Sequence, residues 1–227
     1  LCAADAILQS APAPTFSIGA ADAEDESNMS YPVTFDVVRP ERWSRAQLAL
    51  RLVLFIVLGM VGFSLGALFL LLYIGLPAFA ALSLSNEPAE GFLEHDAPAV
   101  VKVLRWVMAT YAYFALLTDR PPTTEPERDV HLEVRPEGHP TVSSALLRIL
   151  YGLPNAIVLS ILMWVAALAW LIAFLLVLVH RRYGRWLFEL QTGVLRWMAR
   201  LLAYQASLVE PYPPFSLGEA APPPVHA

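Results

Sequence analysis

Two stretches without a single charge constrain this chain more than anything else in it: Leu52 to Leu84, 33 residues, and Ile149 to Val179, 31 residues. Roughly 20 apolar residues in a helix cross the hydrocarbon core of a bilayer, and both runs exceed that length. Hydrophobic residues make up 57% of the chain and charged residues 15%, a balance outside the range of soluble domains. Both runs lie deep in the chain and are longer than the apolar core of a signal peptide, roughly 7–15 residues, so they read as parts of the mature protein. The expectation is an integral membrane protein with two spans.

The charges are unevenly placed around these runs. Arg39, Arg42, Arg45 and Arg51 precede the first, Arg181, Arg182, Arg185, Arg196 and Arg200 follow the second, and Glu87, Glu90, Glu94 and Asp96 follow the first. The excess of arginine on the outer flanks places both termini in the cytoplasm and the connecting segment outside, in a bacterial inner (cytoplasmic) membrane. The single cysteine, Cys2, has no intrachain partner, and Met29 reads as an alternative start. Residues 1–30, rich in alanine and acid, read as a disordered tail, and 218–227 as a proline-rich one.

The chain also says nearly the same thing twice. Val103-Leu-Arg105-Trp106, Tyr113 and Asp119 recur as Val194-Leu-Arg196-Trp197, Tyr204 and Glu210. Val33-Thr-Phe35-Asp-Val37, before Arg39-Pro40-Glu41, is answered by Val130-His-Leu132-Glu-Val134 before Arg135-Pro136-Glu137, and Arg51 matches Arg148. Internal similarity of this kind sets architecture. It predicts a mainly α fold of two repeats, 31–122 and 123–217, each a short β-strand, a long transmembrane helix and an amphipathic interfacial helix. The strands are expected where apolar and polar residues alternate between prolines, the transmembrane helices at about 52–84 and 154–179, and the amphipathic helices at about 98–118 and 186–209. Thirty-three helical residues would extend about 50 Å against a core of about 30 Å, so each run must bend or fold back as a re-entrant hairpin.

The candidate site residues follow from this plan. Arg105, Trp106, Tyr113, Arg196, Trp197, Arg200 and Tyr204 are expected at the membrane interface, arginine meeting lipid phosphate and tryptophan lying in the headgroup belt. Gly59, Gly62 and Gly66 have the spacing that lets helices approach closely. The histidines His95, His131, His139, His180 and His226 show no paired ligand spacing, so no metal or cofactor is expected. The sequence contains no nucleophile elbow, phosphate loop or dinucleotide fingerprint, which disfavours an enzyme.

An arginine before a long apolar run, then Tyr183-Gly-Arg-Trp-Leu-Phe188, Gly193-Val-Leu-Arg-Trp197, Tyr204 and Glu210-Pro-Tyr-Pro-Pro-Phe-Ser-Leu217, resembles the bacterial membrane proteins grouped as domain of unknown function 4389. The resemblance covers most of 31–217 and runs in tandem. The first copy departs from it where Gly91-Phe-Leu-Glu94 replaces the basic segment and where Arg120-Pro-Pro122 lacks the tyrosine and closing phenylalanine. No activity comes with the resemblance. The functional expectation is a non-catalytic accessory or scaffolding subunit of a larger membrane assembly, with a lipid-binding or lipid-handling module as the alternative and an enzyme third. Its partners would be membrane lipids and other integral membrane proteins, with no nucleic acid.

Overall fold

A computed structural model describes residues 31–40, 43–60, 64–122, 128–180 and 183–218. The expected tails 1–30 and 218–227, apart from Gly218, lie outside the described residues, as do Cys2, Arg42, Gly62, Arg181 and Arg182. The element order is β1 (Val33–Val37), α1 (Arg45–Met60), α2 (Leu65–Asn86), α3 (Ala97–Phe114), β2 (Val130–Val134), α4 (Val142–Tyr151), α5 (Leu153–His180) and α6 (Arg185–Gln205). A helical turn, Ala89–Gly91, and a π-helical turn, Phe92–Asp96, lead into α3.

Both strands form where the alternation places them and pair antiparallel, with Phe35 opposite Leu132 at the centre of the register. The Arg135 amide donates to the Pro32 carbonyl and the Val38 amide to the Asp129 carbonyl, each at 2.9 Å. Residues 33, 35 and 37 turn inward with 130 and 132, while Thr34, Asp36, His131 and Glu133 face outward. Each strand thus has a buried apolar side and an exposed polar side.

The first apolar run is not the single helix expected over 52–84. Ser64 is extended, and its hydroxyl accepts the Ala67 amide at 3.1 Å, so α2 starts afresh from a capped end. Nor does the run double back as a hairpin. The Arg45 guanidinium donates to the Val179 carbonyl at 3.2 Å and the Phe55 and Trp170 rings lie 5.6 Å apart, so α1 runs antiparallel to the far half of α5. Leu65 lines a groove with Met163, and the Tyr73 hydroxyl donates to the Ile149 carbonyl at 2.7 Å, so α2 continues past the near half of α5 onto α4. Two antiparallel rows result, α1–α2 and α4–α5. The second row also breaks, at Gly152, where an added Cβ would collide with the Gln205 amide.

Beneath the rows lie α3 and α6. The Tyr111 hydroxyl donates to the Leu65 carbonyl, and the Gln191 amide to the Ala166 carbonyl at 2.7 Å. Helix α6, expected to lie at an interface, is instead the most enclosed element, buried on nearly every face from Gln191 to Gln205 between the rows and the sheet. It packs against α5, whose buried side carries small residues, Ala156, Ala166, Ala169 and Ala173, that let neighbouring axes approach. Of the hydrophobic windows of α2 and α5, the two helices among the described residues that are long and apolar enough to cross a membrane, only 28% and 22% are buried within the chain.

The alanine stripe gives the first test. Ala173 has no exposed surface, so Ala173→Leu overfills the buried side of α5 and is expected to destabilise by about 1–3 kcal/mol. A lowered denaturation midpoint in detergent checks it, with Leu168→Ala on the open face of α5 as the silent control.

Candidate functional site

The α1–α2 row from Ala46 to Leu84 and the α4–α5 row from Val142 to Val179 contain one charged residue each, Arg51 and Arg148. Both are buried. The Arg51 guanidinium lies 4.1 Å from the centre of the Tyr113 ring, donates to the Thr118 carbonyl and stands 3.7 Å from Asp119. The Arg148 guanidinium lies 4.5 Å from the centre of the Tyr204 ring and donates to the carbonyls of Tyr204 at 2.7 Å and Val209 at 2.5 Å.

Thr118 and Val209 sit just past the ends of α3 and α6, and Tyr204 in the last turn of α6, where a helix leaves carbonyls short of helical donors. The chain reverses there through left-handed residues, Leu116 at φ 64° and Ser207 at φ 58°. The following amides bond back, Leu117 to the Ala112 carbonyl at 2.9 Å and Leu208 to the Ala203 carbonyl at 3.2 Å. Glycine normally occupies such a cap. Here the arginine holds the carbonyl two residues beyond the reversal and closes the turn from outside. Asp119 completes the first clamp by accepting the Ser44 amide, and burial pushes its carboxyl above the ordinary range against the pull of that amide and Arg51.

Residues 143–216 match the model of the family described as Domain of unknown function (DUF4389). No curated protein and no solved structure matches the chain. The DUF4389 stretch opens inside the first turn of α4, whose Thr141 hydroxyl and Ser144 side chain cap one another's amides, and carries Arg148, Asn155, Arg196, Trp197, Arg200 and Tyr204.

Within and beside it, the residues expected at the lipid headgroups are spent on the protein's own backbone. An antiparallel pair leaves every second residue's carbonyl pointing away from its partner, and Phe35 and Leu132 occupy such positions. Arg196 Nε donates to Phe35 O at 2.9 Å, and Arg105 Nε to Leu132 O at 3.0 Å. Arg196 also reaches Leu217 O at 3.1 Å, while Arg200 donates to Ser216 O at 3.2 Å and Gly218 O at 2.8 Å. The Trp197 indole is buried and donates to Asn155 Oδ1, and Asn155 passes the connection to the Pro213 carbonyl at 2.7 Å. The Tyr113 hydroxyl donates to Gln47 at 3.0 Å. Only Trp106 of the expected anchors is half exposed. Strand edges and an extended tail need donors, and these side chains supply them.

Gly59 and Gly66, expected to pack helices, meet no other helix among the described residues of this chain. A Cβ at Gly59 would meet nothing within 4 Å, and at Gly66 only the Ser64 hydroxyl at 3.8 Å. Close approach occurs instead at Gly193, where a Cβ would stand 2.9 Å from Leu217 O. The sequence carried a signal for this, since Gly193 precedes Val194-Leu-Arg-Trp197 where the first copy has Lys102.

Arg148→Met strands the Val209 carbonyl, leaves that of Tyr204 to the Ser207 amide, and is expected to cost about 2 kcal/mol. Asp119→Asn keeps an acceptor for the Ser44 amide while removing a charge that is only partly buried, so it is expected to stay within about 1 kcal/mol of the parent. Denaturation midpoints in one detergent would establish the order, and equal losses would contradict it.

Proposed function

We propose that this chain is a non-catalytic, membrane-embedded accessory or scaffolding subunit of a larger membrane assembly, built from two tandem DUF4389-like repeats. The observation that carries the reading is how its polar interior is used. Arg51, Arg148, Arg196, Arg200, Asn155 and Gln191 all hold backbone carbonyls of the same chain, which makes a rigid frame with its apolar surface turned out. Open space above Gly59 and Gly66 on that surface supplies close-packing positions for a helix of another protein.

The tandem plan is supported by matching contacts at matching positions. Phe35 and Leu132, corresponding residues of the two copies, face each other across the sheet, and each is held by an arginine from the other copy. Arg51 over Tyr113 repeats as Arg148 over Tyr204, and the left-handed Leu116 as Ser207.

A lipid-handling role is the second reading, favoured by a groove of about 560 Å³ between α2 and α5 lined by Leu65, Phe69, Tyr73, Ala156, Met163 and Trp164. An adjoining groove of about 420 Å³ shares Leu65 and Met163 and is walled by Phe55, Phe114 and Trp170. Its dimensions and lining suit hydrocarbon.

Mild-detergent extraction from native membranes separates the readings. A subunit is expected to co-migrate with other membrane proteins, and Gly66→Leu is expected to release it as a folded protomer with an unchanged midpoint. Recovery of the parent as a lone protomer carrying tightly held phospholipid would favour the second reading instead.

A further inference from the structure

The two rows present one outward face that no charge interrupts. Between Ala46 and Leu84 and between Val142 and Val179 the only ionised groups, Arg51 and Arg148, point inward, and Ile56, Leu71, Leu82, Leu150, Trp164 and Leu175 all face out. On the opposite side of α3 and α6 lies the polar side of the sheet, with the Asp36 side chain 73% exposed and His131 and Glu133 beside it.

The position of that sheet along the rows decides how a bilayer can receive them. Arg196, which holds the centre of β1, lies on α6 between Gln191, bonded to Ala166, and Trp197, bonded to Asn155. Arg105, which holds the centre of β2, lies on α3 between Phe92, packed on Ala80, and Tyr111, bonded to Leu65. The sheet therefore sits beside the middle of both rows. Were the rows to stand upright in a bilayer, Asp36, His131 and Glu133 would be held at hydrocarbon depth, where ionised groups are costly. Length argues the same way, because α5 alone extends about 42 Å, beyond a core of about 30 Å, and α4 prolongs it.

We propose that the chain enters a single leaflet, with both rows lying flat in the membrane plane and the sheet and the segment 211–218 in water on one side. The inference rests on the membrane reading above and replaces its two spans with a one-sided seat. A flat apolar face sinks about 5–10 Å into the boundary between headgroups and acyl chains. The flanking charges suit that depth: Arg45, His180 and Arg185 at one end of the rows and Glu87, Glu90 and Glu94 at the other all reach the same headgroup layer.

Single cysteines at Ala46, Ser85 and Thr34, in a Cys2→Ser background, mark the two ends of the α1–α2 row and the polar face; all three positions are exposed. Sealed vesicles of both orientations are treated with a membrane-impermeant maleimide, and detergent-opened vesicles give full labelling for reference. The expected result is that all three cysteines react in one orientation and are protected in the other. Reaction of Ala46→Cys and Ser85→Cys in opposite orientations would overturn the flat seat while leaving a membrane protein. Recovery of the parent in the aqueous phase after alkaline washing would overturn the membrane reading and the flat seat together.

Discussion

Carbonyls at and just past the ends of α3 and α6 run short of helical donors, and the guanidinium groups of Arg51 and Arg148 reach in from the first helix of each row to supply more. A planar guanidinium suits this task because it offers several N–H groups in fixed directions and rests its face on an aromatic ring. Tyr113 and Tyr204 provide those rings. The rest of the architecture follows from where these two charges go. With them inside, α1–α2 and α4–α5 keep an outer surface made only of uncharged side chains, and the reversals after α3 and α6 send the chain back toward the sheet.

The same economy governs the sheet. Two strands expose two edges, and unpaired edge carbonyls are a liability in any environment. Arg105 and Arg196 take one central carbonyl each, and Arg196 and Arg200 also bind the extended tail that lies along α6. Gly193 makes room for it. Polar groups within this protein thus work mainly as backbone donors.

Much of the secondary structure was legible from local pattern. The alternation in Val33 to Val37 and Val130 to Val134 gives strands at those residues, and apolar runs give helices. The break at Ser64 was harder to see, since one serine amid leucine and glycine reads as ordinary within a helix until its hydroxyl is found capping Ala67. Arg-Trp pairs beside long apolar runs look like headgroup anchors because the same residue types serve that purpose. What distinguishes Arg196 and Trp197 is a partner far along the chain, Phe35 and Asn155, and such pairing has no local signature. The alanine stripe on α5 was hidden for a different reason: within a uniformly apolar run, small size is the only mark of the packed side.

Exchange of arginines between the two strands' neighbourhoods also shapes how the molecule is made. Phe35 emerges from the ribosome 161 residues ahead of Arg196, the donor that closes its edge. Leu132 meets Arg105, already synthesised, 27 residues back. The first strand therefore waits for its partner strand until residue 134 and for the donor on its edge until residue 196. Contacts so distant in the chain slow folding and prolong the exposure of sticky intermediates. The N-terminal half thus completes its packing only once α6 has been made.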